Sequence, residues 1–150
     1  MMQWLCLKFS ELSTNQLYQL LQLRVDVFVV EQNCPYPELD DKDHHPDVYH
    51  LLAYQDEKII ACARLLAPGI SYPQVSIGRI ATAKANRQGG LGKQLLNNAL
   101  QQCEQHWPQQ DIQIGAQVYL INFYQSFGFK RHSPDYVEDG IPHLDMLLLK

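Results

Sequence analysis

Arg87, Gly89, Gly90 and Gly92 stand within six residues, "RQGGLG", directly ahead of a segment with the apolar spacing of a helix. A helix start leaves its first backbone N–H groups without partners and carries a partial positive charge. Glycines keep side chains off that backbone, and a guanidinium adds charge beside it. Such a stretch can hold an anion, best a phosphate or pyrophosphate. Two common phosphate motifs fit poorly. For G-x-x-x-x-G-K-[ST], Arg87 stands where the first glycine belongs and Gln94 where a magnesium-holding hydroxyl belongs. A dinucleotide fingerprint would have Leu95 in place of its third glycine and would need an early parallel βαβ unit. The plainer alternative is a turn in which the glycines merely permit the change of direction.

The elements that must position this stretch follow from periodicity. A short apolar start at 4–7 precedes Ser13, which can cap a helix whose Leu17, Leu20, Leu21, Arg24 and Phe28 fall at helical spacing. Residues 28–47 lose that period, gather prolines and acids, and read as a long loop. The runs 49–54 and 59–66 around "QDEK" predict a hairpin, and 74–82 a further strand. Leu91, Leu95, Leu96, Ala99, Leu100 and Cys103 make an apolar stripe on a helix ended by Pro108. A strand at 111–116, a helix at 118–127 closed by Gly128, and a last strand at 144–150 complete an α/β chain with a mixed sheet.

At 150 residues the chain suffices for one buried core and not two, so a single domain over 1–150 is expected. A net charge of -4 and the lack of any basic run argue against a nucleic-acid partner. The N-terminus lacks the pattern of a signal peptide and no window reaches 18 apolar residues, so a cytoplasmic protein without a membrane partner is expected. Cys6, Cys34, Cys62 and Cys103 form no C-x-x-C pair and read as buried thiols in a reducing compartment. The "DDKDHHPD" run lacks metal-ligand spacing and reads as a solvated acidic loop, so no metal is expected.

"RQGGLG" resembles the R/Q-x-x-G-x-G/A coenzyme A motif of the GCN5-related N-acetyltransferases (GNAT). "NFYQSFGF" (122–129) resembles that family's second signature, in which an asparagine and a tyrosine open a helix ending in G-F. Within the family, "LLQLRVDVFVVEQNCPY", "GAQVYLINFYQSFGF" and "YVEDGIPH" resemble the ElaA-type subgroup. The likeness spans nearly the whole chain. It implies a GNAT fold: a mixed, mostly antiparallel sheet of about six to seven strands flanked by about four helices, with acetyl-CoA in an opening where strands 4 and 5 splay.

Residue by residue, the resemblance implies that the backbone of Ile80, Ala81 and Thr82 pairs with the pantetheine arm and polarises the thioester carbonyl. Arg87, Gln88, Gly89, Gly90, Leu91, Gly92 and Lys93 would hold the pyrophosphate, and Asn122 would hydrogen-bond the pantetheine arm. Tyr124 matches the family's tyrosine acid, which protonates the departing thiolate, although a tyrosine there can also simply pack with its hydroxyl at the surface. The implied activity is direct transfer of acetyl to the primary amine of a small or peptide acceptor, by a monomer or homodimer. A non-catalytic acyl-CoA-binding module, a hydrolase and an enzyme for another acyl donor stand as alternatives.

The base is left open among Glu31, which ends the helical segment bordering the family's acceptor site, His50, which begins a central strand, Glu138, His143 and a water chain. Arg64 and Arg79 lie in consecutive strands, and a symmetric hairpin would set them opposite each other. Opposed like charges then need an anion: Glu31, Asp41 or an acidic group on the acceptor. A bulge would break that register. Arg64, Arg79 and His143 are the candidate acceptor-site residues.

Overall fold

Ser13 caps the first helix as its position predicts: its hydroxyl accepts from the Gln16 amide at 3.0 Å, and the Gln16 side chain accepts from the Ser13 amide at 2.8 Å. The computed structural model describes residues 2–150. Strand β1 (Met2–Lys8) leads to α1 (Thr14–Val25), which continues as a wider π-helical turn over Asp26–Glu31. The helical chain thus runs a few residues into the stretch that reads as loop. Strands β2 (Val48–Gln55), β3 (Lys58–Leu66) and β4 (Val75–Thr82) follow, then α2 (Leu91–His106), β5 (Ile112–Gln117) and α3 (Ile121–Gln125). Two short strands, β6 (Lys130–Arg131) and β7 (Tyr136–Glu138), precede β8 (Ile141–Leu148).

These strands form one sheet in the order β1-β2-β3-β4-β5-β8-β6, with β7 pairing β8 beside β6. Among the described residues only β4 and β5 run parallel. Over the same residues the sheet has eight strands where six to seven are expected, because β6 and β7 are too short to show a period of two, and three α-helices stand where about four are expected. The expected helix over 118–127 is a 3-10 turn (Val118–Leu120) followed by α3, and the last strand begins at Ile141.

Alternation along the strands gives the sheet two unlike faces. One face carries Leu51, Ala63, Leu65, Ile77, Ile114, Ala116, Leu144 and Met146 and packs on Leu91, Leu95, Leu96, Ala99 and Cys103 of α2. The other face is apolar under α1, where Leu20, Leu23 and Val27 meet Leu52, Ile59, Cys62 and Ala81. Beyond α1 it keeps the buried pair Val48 and Leu66 but is otherwise mainly polar or small, with His50, Arg64, Ser76, Gly78, Gln113, Gly115, Gln117, His143 and Asp145. β3 reads as an apolar run broken by Arg64, because it is covered on both sides and the arginine meets the loop acids.

A buried ion network seals the loop 32–47 onto that polar face. Arg24, 1% exposed, donates through Nε to Glu38 at 2.6 Å and through Nη1 to Asp43 at 2.7 Å. Arg64 forks onto Asp40 at 2.8 Å and reaches Asp43 at 3.0 Å. Arg79 donates to Glu38 at 2.9 Å. Three guanidinium groups meet three carboxylates, so the cluster is neutral as a whole. Of the acids of 40–47, Asp41 and Asp47 are exposed as a solvated loop requires, but Asp43 is buried and Asp40 is held by arginine, against expectation.

Removing one member leaves its partners charged and buried, which costs about 3–5 kcal/mol. Arg24→Met should lose stability on that scale in denaturant titrations and expose the loop 32–47 to proteolysis. Acid should act through the same network. Burial alone would raise the Asp40 and Asp43 carboxyls, but the Arg64 and Arg24 forks outweigh it and hold both below the usual range. Groups depressed in the folded state stabilise it above their unfolded pKa of about 3.9 and release that stability as pH falls through the folded values. Unfolding free energy should decline from about pH 4 downward, and the decline should be shallower in a variant with Asp40→Asn.

Candidate functional site

β4 and β5 pair only at Val75 with Ile112 and Ser76 with Gln113, and then diverge. Beyond Ser76 the β5-facing edge of β4 has no strand partner, although its other edge stays paired to β3 as far as Thr82. The gap opens into a cleft of about 870 Å³ that passes between the strands. On the β3 side the register slips by one: Cys62 pairs with Ala81 but Arg64 with Gly78, so Arg79 and Ile80 together face Ala63. Arg79 takes the left-handed conformation, φ 49°, that absorbs the extra residue. This bulge breaks the register that would set Arg64 opposite Arg79, and their counterions are Glu38, Asp40 and Asp43 rather than Glu31 or Asp41.

β4 then runs through a short turn into the glycines. Gly89 (φ 87°) and Gly90 (φ 80°) both take the left-handed region, and nothing lies within 4 Å of the Cβ that either lacks. No side chain caps α2, so the backbone amides at its start stay free to meet an anion. Gly92 is helical, with Phe123 3.8 Å from its absent Cβ. The Leu91 side chain belongs to the core, leaving only its amide for a ligand.

Arg87 turns to a different partner than the free amides. Its Nη1 and Nη2 grip Glu31 at 2.5 and 2.7 Å while Nη2 also donates to the Thr82 carbonyl at 3.0 Å. The pair ties the end of β4 to the turn that extends α1. The Arg87 hydrogen bonds hold the Glu31 carboxyl below its ordinary range, leaving it a weak base. His50 is more remote: 1% exposed, with Nε2 2.9 Å from the Asp43 carbonyl, it sits behind the ion network and outside the cleft. Burial pushes its imidazole down. The expectation that His50 could serve as base fails because the loop 32–47 covers it.

Ile80, Ala81, Thr82, Arg87, Gly92, Tyr124, Glu31, Arg64, Arg79, Glu138 and His143 all border the one cleft. Gln88, Gly89, Gly90 and Lys93 lie in the adjoining turn and helix start, and Asn122 is exposed at the opening of α3. Tyr124 is 6% exposed, edge-on to Phe123 and Phe129, and burial pushes its phenol well up. It therefore stays protonated and able to donate. His143 is 8% exposed, with Nδ1 2.7 Å from the Ile141 carbonyl.

One polar cluster, which meets the cleft through Tyr72 and Gly115, has no counterpart in the sequence reading. Asp145 accepts from Tyr136 at 2.7 Å, from Gln113 at 3.3 Å and from Tyr72 at 3.4 Å. Gly115 makes room for it: an added Cβ would come within 3.1 Å of the Tyr72 hydroxyl and 3.2 Å of the Tyr136 hydroxyl. The signal was the period of two in Gln113, Gly115, Gln117 and in His143, Asp145, which marks a polar sheet face. Among the described residues no group of three or more His, Cys, Asp or Glu converges as metal ligands do.

A family model described as Acetyltransferase (GNAT) domain matches residues 18–150. The chain is 47% identical over 146 residues to protein ElaA of Escherichia coli strain K12, covering 97% of this chain and 95% of that one. It superposes on the crystal structure of E. coli ElaA with a TM-score of 0.93 at 45% identity, covering 99% of each chain. It superposes on that of an acyl-CoA N-acyltransferase from Pseudomonas aeruginosa with a TM-score of 0.95 at 42% identity, again over 99% of each.

The two glycine environments separate folding from ligand approach. Gly90→Val places a branched side chain at φ 80°, in the path to the free amides, and should weaken coenzyme A binding at least about tenfold by calorimetry. Gly92→Ala meets only ordinary contact with Phe123 and a helical backbone, so it should match the parent in stability and bind coenzyme A within about twofold. Equal affinity in both variants would remove the phosphate assignment.

Proposed function

Because this chain belongs to the GNAT family and has the fold of acyl-CoA N-acyltransferases, we propose that it moves an acetyl group from acetyl-CoA to a primary amine by direct attack. The observation that carries this reading is the splay itself: a free β4 edge leads from an uncapped helix start to a buried tyrosine within one cleft. The donor is long and bipartite, an anionic pyrophosphate joined through an amide-bearing arm to a thioester, and the cleft offers matching groups in that order. Free amides from Gln88 to Lys93 meet the phosphates, and the open edge of Ile80, Ala81 and Thr82 pairs with the arm as an added strand would. Asn122, exposed at the start of α3, is assigned to the same arm.

Acetyl-CoA supplies the activated carbonyl. The chain's own part is to stabilise the charge that grows on the carbonyl oxygen and to manage two protons. The bulge serves the first task, since two residues facing one leave a backbone amide without a ladder partner at Arg79 or Ile80. Tyr124 serves the departing sulfur as acid: burial keeps its hydroxyl protonated. Coenzyme capture alone would not require an acid beside the sulfur, which favours catalysis over a binding module. Of the two arginines, Arg79 is assigned to the acceptor, because its side chain is 21% exposed against 5% for Arg64. We assign the reaction to the cytoplasm, in keeping with four unbridged cysteines.

Thiol release from acetyl-CoA, followed with a panel of small primary amines and peptides, tests the reading: turnover with at least one supports it, and saturable coenzyme binding with none favours the binding module. In the active pair, Tyr124→Phe should lower kcat about 10²-fold and leave the KM for acetyl-CoA within about twofold. Arg79→Ala should raise the acceptor KM while leaving that for acetyl-CoA unchanged, and an unchanged acceptor KM in a folded variant removes its assignment.

A further inference from the structure

We propose that His143 is the catalytic base, taking the acceptor's proton at Nε2, and that Glu138 holds the incoming ammonium in front of it. The assignment rests on the acetyl-transfer reading and goes beyond it by choosing among the groups left open. A backbone carbonyl can only accept, so the 2.7 Å contact with Ile141 places the ring proton on Nδ1. In the neutral ring Nε2 is then a lone pair. The ring lies on Tyr136 at 17° between planes, and its strand positions are fixed by Gln117 on one side and Tyr136 on the other. Its orientation is thus set by backbone and packing before any acceptor arrives.

Nε2 stands 3.8 Å from a Glu138 carboxylate oxygen, too far for a hydrogen bond between them. Two acceptors at that spacing can both lie about 2.8 Å from a single nitrogen, which is what an ammonium requires. Glu138 is 62% exposed, so its charge is open to an arriving cation. The other candidates are committed elsewhere. Both Glu31 oxygens are on Arg87, Nε2 of His50 is on the Asp43 carbonyl, and Asp145 is held by two tyrosines and a glutamine.

Protons and bonds balance. One N–H bond of the ammonium breaks and its proton passes to Nε2. The freed lone pair forms the C–N bond at the thioester carbon as the C–S bond breaks. The sulfur gains its proton from Tyr124, which is made good by the second proton leaving the nitrogen. The imidazolium returns its own proton to solvent past Glu138.

Bromoacetyl-CoA tests this without knowledge of the acceptor. The full chain, treated with it, should be alkylated at His143 Nε2, with an N–C bond formed and bromide lost, as peptide mass mapping reads. Excess coenzyme A should protect. His143→Gln should show no adduct at this position and keep the parent's affinity for coenzyme A. Nitrogen-15 spectra of the ring should show the proton on Nδ1. Coenzyme binding with alkylation elsewhere or nowhere, or a ring proton on Nε2, overturns the assignment while leaving acetyl transfer standing. Failure to bind coenzyme A at all overturns both.

Discussion

The pairing of β4 with β5 stops after two residue pairs, and the rest of the molecule is arranged around that interruption. A sheet interior is an expensive place to leave backbone amides and carbonyls without partners. Here the unpaired edges are admitted because they line an open cleft, where water or an extended ligand can satisfy them. The divergence needs a device on each side. On β4 the bulge at Arg79 inserts an extra residue, which increases the local bend and twist of the strand. On β5 the chain passes directly into the helical turns at Val118–Leu120 and α3, which set Tyr124 against the cleft.

A sheet that opens in the middle cannot be buried on both faces by apolar residues alone. The α2 face closes with the usual aliphatic core, but on the other face α1 covers only part of the area. The remainder is covered by a loop that carries its own counterions to the strands. A neutral cluster of three arginines and three carboxylates is no more stabilising than a well-packed apolar lid would be. What it supplies is a fixed geometry: each fork accepts one arrangement of its carboxylate, so this wall of the cleft is set to within hydrogen-bond tolerance.

Periodic elements were legible in the sequence and registers were not. The stripe of α2, the Ser13 cap and the hairpin of β2 and β3 are each written in local spacing. The turn before α2 was legible because glycine is the residue that tolerates the φ values of Gly89 and Gly90. The bulge was foreseen only as something that would upset the pairing of Arg64 with Arg79, since no residue type demands it: Arg79 bears a left-handed φ because its surroundings impose it. Asp40 and Asp43 looked like part of a solvated run because their partners are distant in sequence, 24 residues for Arg64 with Asp40 and 19 for Arg24 with Asp43. His50 and His143 were equivalent as letters. The fold separates them, burying one behind the network and leaving the other on the cleft.

The two sides of the opening therefore do different work. β4 and the turn after it contribute mainly backbone: a free edge, a bulge and uncapped amides, none of which titrates. The charged side chains on that side are neutralised within the protein, Arg87 by Glu31 and Arg64 and Arg79 by the loop acids. Across the gap stand Tyr124 after β5 and the loosely set pair of Glu138 and His143, 3.8 Å apart, on β7 and β8. In the proposed reaction, binding falls to one strand and proton transfer to the other, so that the coenzyme's position and the acceptor's protonation would be set by separate elements. The two remaining residue pairs of β4 and β5, at Val75 and Ser76, fix where the gap begins and so how far apart its two walls stand, and in the proposed reaction that width would bring donor and acceptor together.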